Sequence, residues 1–351
     1  MKKLKSVLFE ENIGCGYLYF YVHFIIEVVC FFHLSRITNS PVAWLVPFLY
    51  DAFAFVPQGL IGRIVDKHPK INVSLIGVIF TFASFLLFGF NVNKFVTLFL
   101  ICIGNCLIHV GGAENTLRNA KGKLSHSAIF VAGGSFGVIT GRLLAKTSIS
   151  PFYLLPVILT MIPFILLANT YNSDKNDCKD FNYVKKGLSP WFVVIIAFLV
   201  VIVRGYMGYG IPTSWNKTVL QNVYLFCIMG LGKALGGILS DLFGIRKVAI
   251  ISTLLAIPFL AIGDSLMIVS LIGVMFFSMT MSITLAILVS MLKKSPGLAF
   301  GITTIGLFLG TVPIFFIKIT SKMANIVMIA ILSILCSILL GYILKGGKTN
   351  D

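Results

Sequence analysis

Gly62-Arg63-Ile64-Val65-Asp66-Lys67-His68-Pro69-Lys70 and Gly237-Ile238-Leu239-Ser240-Asp241-Leu242-Phe243-Gly244-Ile245-Arg246-Lys247 are two copies of one pattern. In each, an apolar run enters Gly-x-x-x-Asp, a tight basic turn follows, and a second apolar run begins. Gly237 lies 175 positions after Gly62, half of the 351-residue length, which marks an internal duplication. The residue types have a mechanical reading. Gly62 and Gly237 let neighbouring helices approach closely. Asp66 and Asp241 sit where a carboxylate can cap the positive N-terminal end of an adjacent helix. A basic turn also serves purely as a topology signal, so both readings stand at this point.

Around the repeat, 58% of residues are hydrophobic and 11% charged, with mean hydropathy +0.98. Soluble domains carry about 25% charged residues, so most of this chain is expected to face lipid or other helices. Runs of about twenty apolar residues cross a bilayer. Twelve are expected, near 13–35, 41–62, 71–91, 95–112, 126–145, 150–169, 190–208, 221–240, 246–263, 266–291, 297–317 and 323–344. The one sizeable hydrophilic stretch, 170–189, divides them into a bundle over 1–169 and a bundle over 190–351. The longest other loops are expected at 113–125 and 209–220.

The net charge of +16 encodes orientation. One set of alternate loops and both tails carry Lys2, Lys3, Lys5, Arg63, Lys67, Lys70, Arg118, Lys121, Lys123, Lys175, Lys179, Lys185, Lys186, Arg246, Lys247, Lys293, Lys294, Lys345 and Lys348. The other side has only Arg36, Lys94, Lys146, Lys217, Lys318 and Lys322. This bias predicts both termini in the cytoplasm of a multi-pass protein of the cytoplasmic (inner or plasma) membrane, and it removes the case for nucleic acid. The seven cysteines fall almost all inside spans and show no disulfide framework or metal-ligand spacing, so no metal is expected.

The repeated turn and its placement resemble the motif joining helices 2–3 and 8–9 of the major facilitator superfamily. The resemblance implies an all-α membrane protein with twelve transmembrane helices in two six-helix, pseudo-symmetric bundles. It also implies a conformational latch at Gly62, Arg63, Asp66, Gly237, Asp241, Arg246 and Lys247. The first copy departs at Pro69 and Ile71, where the family has Gly and a second basic residue. A narrower stretch, Gly104-Asn105 with His109 followed by Gly133, Gly137 and Gly141, resembles fosmidomycin-resistance-type exporters, departing at Val110 and Arg142.

Charges at membrane depth are functional candidates by default. His23 and Glu27 are one turn apart on the first span. Glu27 reads as a proton-coupling or substrate residue facing an aqueous cavity between the halves, or as the structural partner of a cation. Asp51 reads as a second coupling carboxylate or the partner of a buried cation. Asn105 and His109 can supply hydrogen bonds. Arg142, Arg204 and Lys233 either snorkel to the interfaces or face the cavity, where they would favour an anionic substrate.

The expected function is a secondary transporter working by alternating access. It would move a small organic solute, coupled to a proton or another ion, with efflux favoured. Uptake of an organic anion and a non-transporting sensor on the same fold remain alternatives. With no Gly-x-x-x-x-Gly-Lys-Ser/Thr loop and no nucleophile–base pair, neither ATP hydrolysis nor another enzymatic activity is expected, and no cofactor. The partners expected are the small-molecule substrate, the coupling ion and the lipid bilayer, around a monomer.

Overall fold

The computed structural model describes residues 2–9, 11–38, 44–171, 177–211, 213–316 and 321–346. Lys175, Lys318 and Lys348 of the charge bias, and residues 172–176 of the hydrophilic stretch, lie outside these. After a short N-terminal helix, Lys2–Leu8, twelve apolar segments follow. They are α1 (Gly14–Ile37), α2 (Leu45–Lys67), α3 (Val73–Gly89), α4 (Lys94–Asn119), α5 (Leu124–Leu144), α6 (Pro151–Thr170), α7 (Pro190–Gly210), α8 (Val219–Phe243), α9 (Ile245–Gly263), α10 (Met267–Met291), α11 (Pro296–Phe316) and α12 (Lys322–Ile343). Eleven are long and apolar enough to cross a membrane, and α3, at 17 residues, is the short one.

The duplication is visible in the packing. In the first half α1 lies on α5 and α3 on α4. In the second, six helices later, α7 lies on α11 and α9 on α10. Between halves, α2 meets α11 and α8 meets α5, the same contact made twice. Gly133, Gly137 and Gly141 of α5 abut the α1 backbone at Phe20, Phe24 and Val28, so the predicted glycine face is a packing face.

Local chemistry sets the breaks. Proline lacks the N–H that continues a helical ladder, and α2 is interrupted between Phe55 and Gln58, at Pro57. The two repeated turns differ for a similar reason. Gly244 adopts φ +95°, which a side chain disfavours, and lets α9 start at the next residue. The first copy lacks that glycine and needs residues 68–72 before α3, whose first turn Asn72 caps through Leu75 N–H.

One expectation needs correction. The loop placed at 113–125 is largely helix, because α4 runs on to Asn119. Its polar end is buried and largely paired: Arg118 pairs with Glu114, and Asn119 donates to Asn115 O at 2.9 Å. Trp44 and Trp191 are exposed at helix ends, and Trp215 is buried. The hydrophilic stretch is docked rather than loose over its described part. Cys178 N–H donates to Lys293 O, Lys185 N–H to Ile343 O, and Lys345 N–H to Tyr183 O.

Candidate functional site

The embedded polar residues of the first half converge. On α1, His23 and Glu27 face one way. On α4, Asn105 and His109 are likewise one turn apart and face them. His109 Nε2 lies 2.8 Å from His23 Nε2 and 3.3 Å from Glu27 Oε1, and His23 Nε2 is 3.9 Å from the same oxygen. Asn105 Nδ2 donates to Glu27 Oε1 at 3.2 Å and to the Tyr50 hydroxyl at 3.0 Å, with Cys30 Sγ at 3.3 Å. All three of His23, Glu27 and His109 are 5–7% exposed. Glu27 is therefore enclosed by side chains of α1, α2 and α4 instead of opening on an aqueous cavity. Polar partners on adjacent helices take the place of water.

The ring orientations are fixed from outside. His23 Nδ1 contacts the Phe130 carbonyl at 2.8 Å and His109 Nδ1 the Asn105 carbonyl at 2.9 Å. A carbonyl oxygen only accepts, so both Nδ1 atoms carry hydrogens. In neutral rings both Nε2 atoms would then present lone pairs to each other across 2.8 Å. In that tautomer both Nε2 atoms turn towards each other and towards Glu27 Oε1.

Charge from the other half reaches this cluster. Lys233 of α8, half-buried, is in electrostatic range of His23, Glu27 and Arg204. The ring of Phe300, on α11, stacks with His109 at 6.4 Å. Asp51 is half-buried, with Glu27 in electrostatic range. Arg142 lies over Phe31 at 5.2 Å and Phe226 at 5.1 Å, between α1 and α8. Arg204 lies over Phe277 and lines a recess with Thr253, Thr280, Ser333 and Cys336. Among the described residues, its Nε and the Ser333 hydroxyl are buried without a hydrogen-bond partner.

The repeated turns form a second constellation, between the halves. Asp66 Oδ1 and Oδ2 accept from Gly297 and Leu298 N–H at 3.0 and 2.9 Å, at the start of α11. Asp241 Oδ1 and Oδ2 accept from Leu124 and Ser125 N–H, both at 2.9 Å, at the start of α5. Each half thus caps a helix of the other. A methyl on Gly62 would collide with the Gly297 backbone, and one on Gly237 with Ala128 and the Leu124 carbonyl. Glycine and aspartate, four apart, act on the same helix end. Arg63 adds a bond from Nη1 to Ser295 Oγ at 3.0 Å, while Lys247 is exposed and Arg246 half-buried.

Sequence reasoning missed Tyr50, Cys30, Arg118 and Glu114. Tyr50, not the neighbouring Asp51, carries the α2 hydroxyl into the Glu27 network. Arg118 Nη2 lies 3.6 Å from Asp66 Oδ1 while its Nε bonds Glu114. The signal available was the Glu114–Arg118 spacing, one helical turn.

No family model and no curated protein matches the chain by sequence. Solved structures do match in shape. The human organic anion transporter MFSD10 (TETRAN) superposes with a TM-score of 0.65 at 13% identity, covering 97% of this chain and 99% of its own. FucP, a major facilitator transporter in the outward conformation, gives 0.62 at 14% identity, covering 94% and 96%. An Escherichia coli fucose:proton symporter structure gives 0.60 at 15%, with the same coverage. At such identities the likeness establishes the fold, and it is the major facilitator fold.

Proposed function

We propose that this chain, which has the major facilitator fold, is a secondary transporter that moves a small organic solute by alternating access. Its coupling ion is a proton held by His23, Glu27 and His109. The observation carrying this is the buried carboxylate–imidazole cluster in one half, with Lys233 of the other half in electrostatic range of it. Glu27 has two competing sources of positive charge, one within its own half and one across the interface. Rocking the halves apart changes which is near, and that ties protonation to conformation. The paired caps made by Asp66 and Asp241 hold one face closed, and must release for that face to open. The basic bias supports reading that face as cytoplasmic, with both termini on that side of the cytoplasmic membrane, and the transporter is read as a monomer. Efflux is the favoured direction, on the Gly104-Asn105 to His109 stretch and the glycine face of α5.

Uptake of an organic anion is the second reading. Its support is Arg142, Arg204 and Lys233, set against a second half whose only acids are Asp241, Asp264 and Asp351. Both readings meet one experiment, a solute screen on proteoliposomes under an imposed proton gradient, wild type beside Glu27→Gln. Solute-dependent proton movement is expected in the wild type and absent from the variant. Solute movement with no accompanying proton, unchanged in Glu27→Gln, would overturn proton coupling at this site.

A further inference from the structure

The donor geometry points to more than a proton station: we infer that His23, Glu27 and His109 form a binding site for a divalent transition-metal ion of the zinc, cobalt and nickel class. The three donor atoms are all within 4.8 Å of one another. Zinc bound by imidazole and carboxylate has bonds of about 2.0–2.2 Å, so tetrahedral ligand atoms lie about 3.3–3.6 Å apart. The observed separations of 2.8, 3.3 and 3.9 Å bracket that spacing. Small rotations of the rings would equalise them.

The surroundings are those a metal site requires. A ligating histidine is oriented by the hydrogen bond its other nitrogen makes. Here both Nδ1 atoms donate to backbone carbonyls, which aims both Nε2 lone pairs at one point. The carboxylate is fixed in turn by Asn105, and Asn105 by the Tyr50 hydroxyl. Two imidazoles and one carboxylate suit borderline ions and not magnesium or calcium, which take oxygen cages. Three protein ligands leave a fourth position for water or solute. Phe130 packs against His23 at 4.9 Å and Phe300 against His109, which gives the site apolar walls.

The charges facing the site work in both directions. Asp51 of α2 favours a dication, and Lys233 of α8 opposes it and competes for Glu27. The Tyr50 hydroxyl and Cys30 thiol complete the polar groups around Asn105 and Glu27. No sequence spacing reveals this set, because the two histidines are 86 residues apart.

Resting on the triad as the ion station proposed above, the metal site is nonetheless testable without transport. Full-length protein in detergent, stripped with chelator, is titrated with Co2+ and Zn2+. One ion per chain is expected, with the visible absorption of four-coordinate Co2+ appearing on binding and displaced by Zn2+. His23→Gln and His109→Gln each lose that ion. Asn105→Ala, acting through Glu27, weakens it on the order of 10–100-fold. Lys233→Gln binds Co2+ more tightly than the wild type, a gain that misfolding cannot produce. Folded wild type that takes up neither ion overturns the site. So does an ion retained at wild-type affinity in both histidine variants, since it would then sit elsewhere. Absent metal binding with proton coupling still lost in Glu27→Gln sinks the metal site alone. Metal binding with no solute or proton movement sinks the transport reading alone.

Discussion

The two caps across the interface share their geometry and differ in their electrostatics. Asp66 and Asp241 each take two N–H groups at the start of a helix from the opposite half, and each sits four residues after a glycine that admits that helix. Beside Asp66, however, stands Arg118, also bonded to Glu114, with all three side chains 2–3% exposed. Beside Asp241 the cation in range is Lys123, half-buried in the turn before α5. The position matching Arg118 in the second half is Lys293, whose ammonium instead holds Lys179 O and Asn182 of the docked linker. Duplication preserved what helix ends require and released what surrounds them.

The sharpest way to break this comparison is to remove each cation. Arg118→Met removes the guanidinium that Asp66 and Glu114 share, and losing one partner of a buried pair costs about 3–5 kcal/mol. Lys123→Met removes a partly solvated partner and costs roughly 1 kcal/mol or less. Thermal unfolding of the two variants in one detergent checks the ranking. Equal losses would mean that the two caps are electrostatically alike. The next largest effect tests what they share. Gly62→Ala and Gly237→Ala both push a methyl onto a neighbouring helix, and overpacking of this kind costs about 1–3 kcal/mol. Similar losses at both sites are expected, with increased labelling of cysteines introduced along the α2–α11 and α5–α8 contacts. A tolerated alanine at either site would mean that its helix pair is loose.

The caps were legible in the sequence and the triad was only half so. A repeated Gly-x-x-x-Asp declares a helix end and a close approach, because both functions depend on local spacing. Which helix is capped was not legible: Asp66 acts on residue 297 and Asp241 on residue 124, contacts fixed by how whole bundles dock. His23 and Glu27 stood out on α1 for the same local reason. That Asn105 and His109 face them depends on α1 lying against α4, which no single-helix pattern reveals. Asp51 drew attention as a charge, yet the hydroxyl of Tyr50 enters the network, since neighbours in a helix point about 100° apart. The end of α4 was read as a loop because Glu114, Asn115, Arg118 and Asn119 are polar, and their mutual satisfaction becomes visible only in three dimensions.

The smallest expected effect lies on the opposite face, where one carboxylate again gathers separate segments, here entirely within the second half. Asp264, after α9, accepts from Ser214 N–H at 3.0 Å and Ser214 Oγ at 2.6 Å, and pairs with Lys322 Nζ at 2.8 Å. The Lys322 hydrogen bond, followed by that from Ser214, holds the Asp264 carboxyl down at about 2, below its ordinary 3.8. A depressed carboxyl stabilises the folded form at full strength above about pH 4 and loses that contribution as the pH falls through about 2. Because the Lys322 side chain is 55% exposed, solvent screening keeps the effect small, and it is expected as loosening of the 213–218 loop while the bundle stays folded. Pepsin cleavage within that loop should therefore rise between about pH 4 and pH 2. In Lys322→Met the carboxyl moves back towards its ordinary range, and the rise begins at higher pH. An identical cleavage profile in the two proteins would show that Ser214 alone holds Asp264. The exposed ion pair would then add nothing, in contrast to the buried one beside Asp66.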